Sequence, residues 1–530
     1  MRKDRLFLAV TLTAIFSADL YFILLPKLRN AGEGSGRFCS CRRSNFSLAS
    51  QFSNWTSLTL QDLDPSGRGN GSSKLDGLFT HPLYNMENPT VAPAEKLLQL
   101  DQLMDYYRKK VSRWERHMKL YNEAVAASNI TVTDYQVAFD PDANWLKFHA
   151  GISRHALYSR SDPAIARLLL DMRDMTVINS DFTQDEKALK GTCDCSQVVK
   201  PSGHHLKLAL KMQNFGKAMF KPMRQQRDEE TPEDVFFFVD VQRHNAEIAA
   251  FHLDRILDFR RVPPVVGRFL NLTGEVLQVT RNDDLRAVFF TSPANNTCFF
   301  AKCLYVCKTE YAVCGSPDLL EGSLSAYLPG LSIAPRISIP NPWIQSSILW
   351  QVNPSYCDTI KKLYPYNSGN RLLNIIDMSI FDFLMGNMDR HHYEIFTKFG
   401  DEGFLLHLDN ARGFGKHSKD EMSILAPLSQ CCIPPLLFSH RIKRSTLLRL
   451  QLLAQPQFRL SDVMRESLQK DPLQPILTEA HLSALDRRLI KILRAVQRCT
   501  RKLGDNRVIT DDFVRATVNP RAYAESKKAR

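Results

Sequence analysis

The chain has 530 residues and a mass of 60.5 kDa, of which 44% are hydrophobic and 24% are charged residues. This composition is typical of globular proteins and excludes collagen-like, fully disordered and multi-spanning membrane classes. The formal charge of +13 comes from 69 basic and 56 acidic residues. Because no zinc-finger spacing or RNA-recognition motif accompanies it, we do not predict nucleic acid as a partner.

The first 26 residues read as a secretory leader. Arg2, Lys3 and Arg5 precede an apolar run over 6–25, which Pro26 ends. The pattern fits a cleaved signal peptide or a retained signal anchor, and both deliver the following chain to the lumen. Six Asn-x-Ser/Thr sequons agree with that destination. They are Asn45, Asn54, Asn70, Asn129, Asn271 and Asn295.

Residues 27–94 are rich in Gly, Ser, Asn and Pro, which predicts a flexible glycosylated stalk. Within the predicted N-terminal helical segment, 95–190, apolar residues recur at three- and four-residue steps over 95–127. That pattern predicts an amphipathic helix. Its apolar face packs either on the core, which is the commoner case, or on a partner protein through residues such as Tyr107 and Trp114.

Alternating apolar and basic residues then predict two strands, 206–210 and 218–221, joined by a turn at 214–216. A helix is predicted over 241–259, with Gln242, Ala246, Ala249 and Leu253 on one face. A buried helix over 372–385 leads into the loop 386–392. Two short strands, 394–399 and 404–408, are predicted to follow, and Asp409 comes directly after the second.

Four polar residues on these elements form an ordered set: Lys221, Gln242, Asp389 and Asp409. A kinase needs a lysine for the phosphates, a helix carboxylate to orient it, a loop base and an aspartate for the metal. Each aspartate alone is more often a cap or turn residue, but the order of all four favours phosphotransfer. No glycine-rich G-x-G-x-x-G loop precedes Lys221, and Asp-Asn-Ala stands where kinases have Asp-Phe-Gly.

Longer strings carry a specific resemblance. Phe220–Met223, Arg243–Glu247, Gly386–Glu394 and Leu408–Asn410 resemble the secretory-pathway kinase family of the Golgi casein kinase and the xylosylkinase. The resemblance covers about 95–505. It implies an α+β, atypical protein-kinase-like two-lobed fold with a disulfide-rich insert. The N-lobe is expected over 191–330, the C-lobe over 331–510 and a C-terminal tail over 511–530.

The resemblance also assigns roles to residues. In active relatives the position of Gln242 is a metal-binding glutamate, so the chain is similar to the pseudokinase branch of the family. Removing one of two opposite unit charges that lie ~4 Å apart costs about 4 kcal/mol of electrostatic attraction at an effective dielectric of ~20. We therefore expect no catalytic residue and no catalytic metal: Asp389 stands at the catalytic-base position and Asp409 keeps a residual metal position. ATP is expected to bind without productive metal coordination. Its expected contacts are His205, Lys207, Lys221, Ser325, Ala326, Tyr327, Leu328, Glu394 and Asp409.

The expected function is allosteric activation of a catalytic Golgi casein kinase paralogue in a heterodimer or larger assembly, with a homodimer also open. The phosphorylated proteins are expected to be secreted proteins of biomineralisation and enamel. The expected locations are the Golgi lumen, the endoplasmic reticulum and the extracellular space. Two alternatives stay open: an active lumenal Ser/Thr kinase that tolerates Gln242, and a structural glycoprotein that uses the fold only as a surface.

Twelve cysteines in a lumenal protein predict disulfides, and zinc is the less favoured interpretation of the cluster at 298–314 because no second C-x2-C half matches it. The resemblance suggests the pairs 298–314, 303–307, 357–431 and 432–499, which leaves Cys193 and Cys195 over. A bond between those two closes a very small, strained ring. We therefore predict that they replace the 303–307 bond. The predicted pairs are Cys298–Cys314, Cys193–Cys303, Cys195–Cys307, Cys357–Cys431 and Cys432–Cys499.

Overall fold

The structure, a computed structural model, describes residues 73–85, 92–126, 137, 139–182, 206–232, 242–300, 309–344, 349–353, 355–431 and 442–513. All of them lie within the compact unit Thr56–Arg530. None of the described helices is long and apolar enough to cross a membrane.

The helices of the described residues, in chain order, are α1 (Lys74–Thr80), α2 (Leu100–Ala126), α3 (Asn144–Gly151), α4 (Pro163–Asp174), α5 (His244–Ile256), α6 (Asp283–Arg286), α7 (Leu349–Val352), α8 (Tyr356–Ile360), α9 (Arg371–Met385), α10 (Ala426–Gln430), α11 (Arg444–Leu453), α12 (Leu460–Leu468), α13 (Glu479–Leu503) and α14 (Asp505–Val508). Short 3-10 turns lie at Pro93–Glu95, Thr309–Tyr311, Thr397–Glu402, Met422–Leu425 and Pro456–Phe458, and a π-helical turn at Leu272–Leu277.

The strands are β1 (Val177–Phe182), β2 (Leu208–Met212), β3 (Lys217–Pro222), β4 (Val265–Asn271), β5 (Phe289–Thr291), β6 (Thr297–Phe299), β7 (Val313–Cys314), β8 (Leu319–Ala326), β9 (Arg336–Pro340), β10 (His392–Phe396), β11 (Ile442–Lys443) and β12 (Ile509–Thr510). The main sheet has five strands in the order β1-β2-β3-β8-β4, with every neighbouring pair antiparallel.

The predicted hairpin before Lys221 is present, with slightly shifted bounds. β2 and β3 pair in the register Leu208↔Phe220 and Lys211↔Lys217. Because side chains alternate across a strand, Phe220 is buried on one face and Lys221 lies on the other. The sheet also includes β1, which begins at Val177 and so precedes the boundary predicted at residues 190 and 191.

Helix α2 packs its apolar face against the chain itself. Leu103, Tyr107, Val111 and Met118 are buried, as expected for residues three or four positions apart. The ring of Tyr107 meets Trp145 of α3 edge-on, with centroids 4.6 Å apart. Tyr107 is therefore a core residue, which confirms the commoner of the two interpretations of this helix, and a partner contact on α2 stays a prediction for its outward side chains.

Below the main sheet, α9 forms the predicted buried helix. Its side chains from Ile375 to Met385 are buried nearly without interruption, and it ends at Gly386. Gly386 has φ 71°, a left-handed conformation that glycine adopts without the steric cost of a Cβ. That turn starts the loop that carries Asp389.

One predicted strand is absent. β10 pairs with β9 rather than with 404–408, and residues 397–402 form a 3-10 turn. Only an isolated bridge, Glu394↔Leu406, remains of the predicted hairpin. Phe404, Leu405 and Leu406 are buried because they pass through the core, so this short apolar run reflected burial rather than strand pairing.

Candidate functional site: a lysine between two carboxylates

The site is built around Lys221 at the end of β3. Its side chain is buried, and its Nζ lies 2.6 Å from Oε1 of Glu247 and 2.6 Å from Oδ1 of Asp409. Burial alone lowers the pKa of an ammonium group, but here the charges of Asp409 and Glu247 outweigh it. The pKa of Lys221 is therefore raised above its usual value, and the side chain stays protonated.

The structure corrects the assignment of the helix carboxylate. We expected position 242 to orient Lys221, but α5 begins only at His244, and Gln242 precedes it. The residue that pairs with Lys221 is Glu247, in the first turn of the helix. The spacing of polar residues along the chain did not predict this role for Glu247, although the string 243–247 that carries the family resemblance contains it.

Gln242 instead faces Asp409. Its Nε2 lies 3.5 Å from Asp409 Oδ1, and the amide side chain is buried. The site therefore presents one carboxylate and one neutral amide where the resemblance implies two carboxylates for active relatives. An amide donates and accepts hydrogen bonds but carries no charge to balance a divalent cation.

Asp409 points outward from this cluster. Its side chain is 60% exposed, and its backbone adopts φ 54°. The next residue, Asn410, is buried and donates its backbone N–H to Glu247 Oε1 at 3.1 Å. Glu247 thus accepts hydrogen bonds from both the Lys221 ammonium and the Asn410 backbone N–H. These bonds hold Lys221 close to Asp409, whose own side chain stays accessible to a ligand.

Asp389, in the loop after α9, lies among cations. Its Oδ2 is 3.2 Å from Arg412 Nε, and its backbone N–H donates to Asn387 Oδ1 at 3.1 Å. The neighbouring Arg390 binds Asp382 through two nitrogens, at 2.9 and 3.0 Å. A guanidinium fork held by a carboxylate is rigid, so Asp389 sits on a fixed loop.

Arg390 also ties that loop to the segment before Asp409. It donates to Asn410 Oδ1 at 2.9 Å and to the carbonyl of Leu408. The loops carrying Asp389 and Asp409 are therefore joined through Arg390. The sequence placed these two aspartates in order along the chain, and the structure shows what connects them.

A buried pair supports the same segment from below. His407 Nδ1 lies 3.0 Å from Asp254 Oδ1, and both side chains are fully buried. Burial raises the pKa of Asp254 to about 7, against hydrogen bonds from the backbone N–H groups of Val262 and Arg261 that lower it. Burial likewise lowers the pKa of His407 well below its usual value.

The other expected nucleotide contacts have separate positions. Ser325 and Ala326 end β8, next to β3 in the sheet. Both backbone groups of Tyr327 are engaged: its N–H donates to the carbonyl of Lys217 at 3.0 Å, and its carbonyl accepts from His149 Nε2 at 2.8 Å. An adenine contact to the Tyr327 backbone therefore competes with these bonds.

Lys207 lies half-buried just before β2, and Leu328 follows Tyr327. Glu394 accepts from Arg336 Nε at 3.1 Å on the β9–β10 pair. His205 lies outside the described residues. The contacts of the described part of the chain thus join Lys221, Glu247, Gln242 and Asp409, whereas the roles of Lys207, Glu394 and the 325–328 segment in nucleotide binding stay predictions.

Two of the expected disulfides are present. Cys298–Cys314 links β6 to β7, with Cα atoms 4.0 Å apart, and Cys357–Cys431 links α8 to the end of α10. Cys499 is also disulfide-bonded, and its predicted partner, Cys432, lies outside the described residues. The predicted partners Cys193, Cys195, Cys303 and Cys307 lie outside them too.

Of the sequons, Asn295 is exposed in a turn, whereas the side chain of Asn271 caps the π-helical turn by accepting from Gly274 N–H at 2.7 Å. Asn45, Asn54, Asn70 and Asn129 fall outside the described residues. Among the residues that the structure describes, no three His, Cys, Asp or Glu side chains form a group suited to a metal ion.

These features define a two-lobed protein-kinase-like fold. The fold combines a five-stranded antiparallel sheet, a buried lysine paired with a helix glutamate, and two aspartates on loops. The chain belongs to the Fam20 family, because the family model described as "Golgi casein kinase, C-terminal, Fam20" matches residues 143–508.

Individual relatives agree with the family. The chain is 58% identical to the Homo sapiens "Pseudokinase FAM20A" over 96% of both chains. It is 48% identical to the Homo sapiens "Extracellular serine/threonine protein kinase FAM20C", over 85% of this chain and 73% of that protein. The structure titled "crystal structure of the Golgi casein kinase with Mn/ADP bound" matches with a TM-score of 0.62 and 33% identity, covering 81% of this chain and 97% of the other.

Proposed function

We propose that the chain is a secretory-pathway pseudokinase. The observation that carries the proposal is the neutral amide of Gln242 beside Asp409, where active relatives are expected to hold a second carboxylate. Without that charge, each unit of positive charge on a metal ion ~4 Å away loses roughly 4 kcal/mol of attraction at an effective dielectric of ~20. About 1.4 kcal/mol is tenfold in rate, so this loss is sufficient to silence phosphotransfer. The 58% identical relatives named as pseudokinases support this assignment.

The site retains the means to bind ATP. Lys221 is protonated and fixed, and Asp409 leaves one side of the cluster open to a ligand. A lysine ammonium is a compact charge suited to phosphate, and Lys207, just before β2, adds a second one. We propose that these cations hold the phosphates with no divalent metal, and that Ser325–Leu328 and Glu394 border the nucleotide.

The function that follows is non-catalytic. We propose that the chain activates a catalytic Golgi casein kinase paralogue by forming a complex with it, and that the paralogue phosphorylates secreted proteins, including those of enamel and other biominerals. The proposed locations are the Golgi lumen, the endoplasmic reticulum and the extracellular space. The leader, the six sequons and the disulfides support these locations.

We propose that an interface on α2, if it forms, uses the outward face of the helix. Because Tyr107 is buried in α2, an interface on that helix has to use outward side chains, such as Leu100 at 45% and Leu120 at 65% exposure. Replacing Leu120 by Asp adds a charge at an exposed site and leaves the helix core intact. Loss of co-purification in that variant supports an α2 interface, and unchanged co-purification removes α2 from the interface.

The test is a phosphate-transfer assay with labelled ATP, Mn²⁺ and a secreted substrate, comparing this chain alone, the catalytic paralogue alone and the mixture. We expect no transfer by this chain and more transfer by the mixture than by the paralogue. Transfer by this chain alone supports the alternative of an active kinase that tolerates Gln242.

Nucleotide binding is measured separately by thermal shift with ATP and EDTA. We expect a shift in the wild type and in Lys109→Met, an exposed-lysine control, and none in Lys221→Met. A shift that requires Mn²⁺ contradicts metal-independent binding. No shift under any condition favours the structural-glycoprotein alternative.

A further inference from the structure

A cavity of about 540 Å³ lies at the turn between β2 and β3, away from the cluster around Lys221. Helices α2, α3 and α4 contribute its other walls. Lys217, which lines it, is four residues from Lys221 on the same strand, a separation of about 13 Å. The cavity borders the residues at the end of β8, Ala326–Leu328, but its lining includes none of Lys221, Glu247 and Asp409. Its volume is in the range that holds a small organic ligand.

The charge of its lining is strongly positive. The described lining residues include five Lys and Arg side chains and one carboxylate, Asp171, which accepts a hydrogen bond from Asn144 Nδ2 at 2.8 Å. The cations are Lys110, Arg113, Lys211, Lys217 and Arg281. A concave, partly apolar site lined by one sign of charge concentrates its field and attracts the opposite charge.

Aromatic rings line the cavity beside these cations. The ammonium of Lys211 lies 3.4 Å from the ring centroid of Trp114 and 4.6 Å from that of Phe215. The guanidinium of Arg281 lies 5.3 Å from Trp114 and 5.4 Å from Tyr121. Ring faces stabilise a cation without neutralising its charge, so the positive field of the cavity persists. They also offer flat apolar area to a ring of a ligand.

Lys211 differs from Lys221 in how its charge is compensated. Two carboxylates surround Lys221, whereas burial lowers the pKa of Lys211 to about 7, aided by Lys217, Lys110 and Arg281. Asp181 is the carboxylate that opposes this shift, and its effect is smaller than that of each of the three cations. An anion bound beside Lys211 supplies the missing negative charge.

We propose that this cavity is a binding site for a small ring-bearing organic anion, with the ring against Trp114 and a phosphate or sulfate group between Lys211 and Arg281. The proposal uses neither Gln242 nor Asp409, although the cavity shares Ala326, Tyr327 and Leu328 with the segment proposed to border the nucleotide. The anion contacts are point charges and a guanidinium, which suit both phosphate and sulfate oxygens.

Pyridoxal 5′-phosphate is a suitable probe because it combines a flat ring, a phosphate and an aldehyde. The Lys211 Nζ adds to the aldehyde carbon, and the carbonyl oxygen leaves as water to give an imine. Borohydride then reduces the imine to a stable secondary amine. Peptide mapping of the full-length protein locates the label. We expect saturable labelling of Lys211, at least about tenfold above that of Lys109, which lies outside the cavity, and of Lys221, whose raised pKa leaves little neutral amine near pH 7.

Three arms test the separate parts of the site. Pyridoxal, which lacks the phosphate, should label Lys211 several-fold less than the phosphorylated probe. Arg281→Gln should reduce labelling at Lys211, whereas Lys109→Gln, on the exposed side of α2, should leave it unchanged. Inorganic phosphate and inorganic sulfate are added as competitors of Lys211 labelling and show which anion the site prefers. The Lys221 site is tested separately, by the thermal shift with excess ATP and EDTA.

The proposal is overturned by label spread over exposed lysines without saturation, or by equal labelling with pyridoxal and its phosphate. Lys211→Gln removes the reactive amine, so labelling cannot be measured in this variant. Its unfolding transition is measured only to show that the chain still folds. Lys211→Arg keeps the charge, so direct binding of 4-deoxypyridoxine 5′-phosphate, which lacks the aldehyde, should persist in that variant when it is measured by calorimetric titration. If ATP binding is absent while Lys211 is still labelled, the result contradicts the proposed ATP binding and leaves this anion site supported.

Discussion

The amide of Gln242 lies 3.5 Å from Asp409, so a single substitution there changes the charge at the metal position with little change in shape. Gln242→Glu should raise the affinity for Mn²⁺ in the presence of ATP by at least about tenfold, since 1.4 kcal/mol suffices for that factor. Calorimetric titration measures the affinity. The control is Gln469→Glu, which adds the same charge at an exposed helix end. Equal Mn²⁺ binding by the wild type and Gln242→Glu contradicts this account of the site.

Lys221 and Glu247 form a second residue-scale test, because both are buried and paired. Lys221→Met leaves the Glu247 carboxylate without its cation and should cost about 3 kcal/mol or more of unfolding free energy. The double variant Lys221→Met with Glu247→Gln should recover part of that loss, because the uncompensated charge is gone. Urea unfolding of the four proteins gives the coupling energy. Additive losses would show that the two side chains stabilise the fold independently.

At the scale of the element, α2 provides matched positions on its two faces. Leu103 is 1% exposed and Leu120 is 65% exposed on the same helix. Leu103→Ala should lower the unfolding free energy by about 2 to 5 kcal/mol through lost burial and a cavity. Leu120→Ala should change it by less than about 0.5 kcal/mol. If both substitutions cost the same, the apolar face of α2 is not part of the core.

Disulfides connect elements that are distant along the chain. Non-reducing peptide mapping should recover Cys298 with Cys314 and Cys357 with Cys431, which serve as internal controls. We also expect peptides that join Cys193 to Cys303 and Cys195 to Cys307. Each bond closes a loop of over a hundred residues and contributes roughly 4 to 5 kcal/mol in the chain-entropy model. A 303–307 peptide with free thiols at 193 and 195 rejects this pairing.

For the whole molecule, buried histidines determine how stability responds to acid. Burial lowers the pKa of His149 and His481 to about 4 and that of His252 to about 3. The unfolded chain takes up these protons near pH 6.5, whereas the folded chain does not, so stability is lost as pH falls below 6.5. Asp254 has the opposite effect on stability. Its pKa of about 7 in the folded state means that the folded chain binds a proton between pH 7 and 4 that the unfolded chain does not.

His407, whose pKa burial lowers well below its usual value, offsets Asp254, so the other three histidines leave an uptake of about three protons net on unfolding between pH 6.5 and 4.5. The unfolding free energy should therefore fall by about 4 kcal/mol per pH unit in that range. Urea unfolding at several pH values measures the slope. His252→Gln removes one of these protons and should reduce the slope by about 1.4 kcal/mol per pH unit. A flat pH profile in both proteins contradicts the buried, neutral histidines.

Much of this protein was determined by local sequence. The hairpin before Lys221, the buried helix ending at Gly386 and the order of Lys221, Asp389 and Asp409 were all predicted, because strand alternation, helical periodicity and turn residues act over short distances. The resemblance of the strings at 220–223 and 386–394 led to the correct family.

Tertiary structure decided which side chains meet. Glu247 rather than position 242 pairs with Lys221, because the starting point of α5 sets which side chain faces β3. The burial of Tyr107 and the passage of 404–408 through the core depended on neighbours far away in sequence. The cavity beside Lys211 likewise forms where α2 and Arg281 come together with the β2–β3 turn. Contacts between distant segments depend on how elements pack, and neither periodicity nor spacing along the chain carries that information.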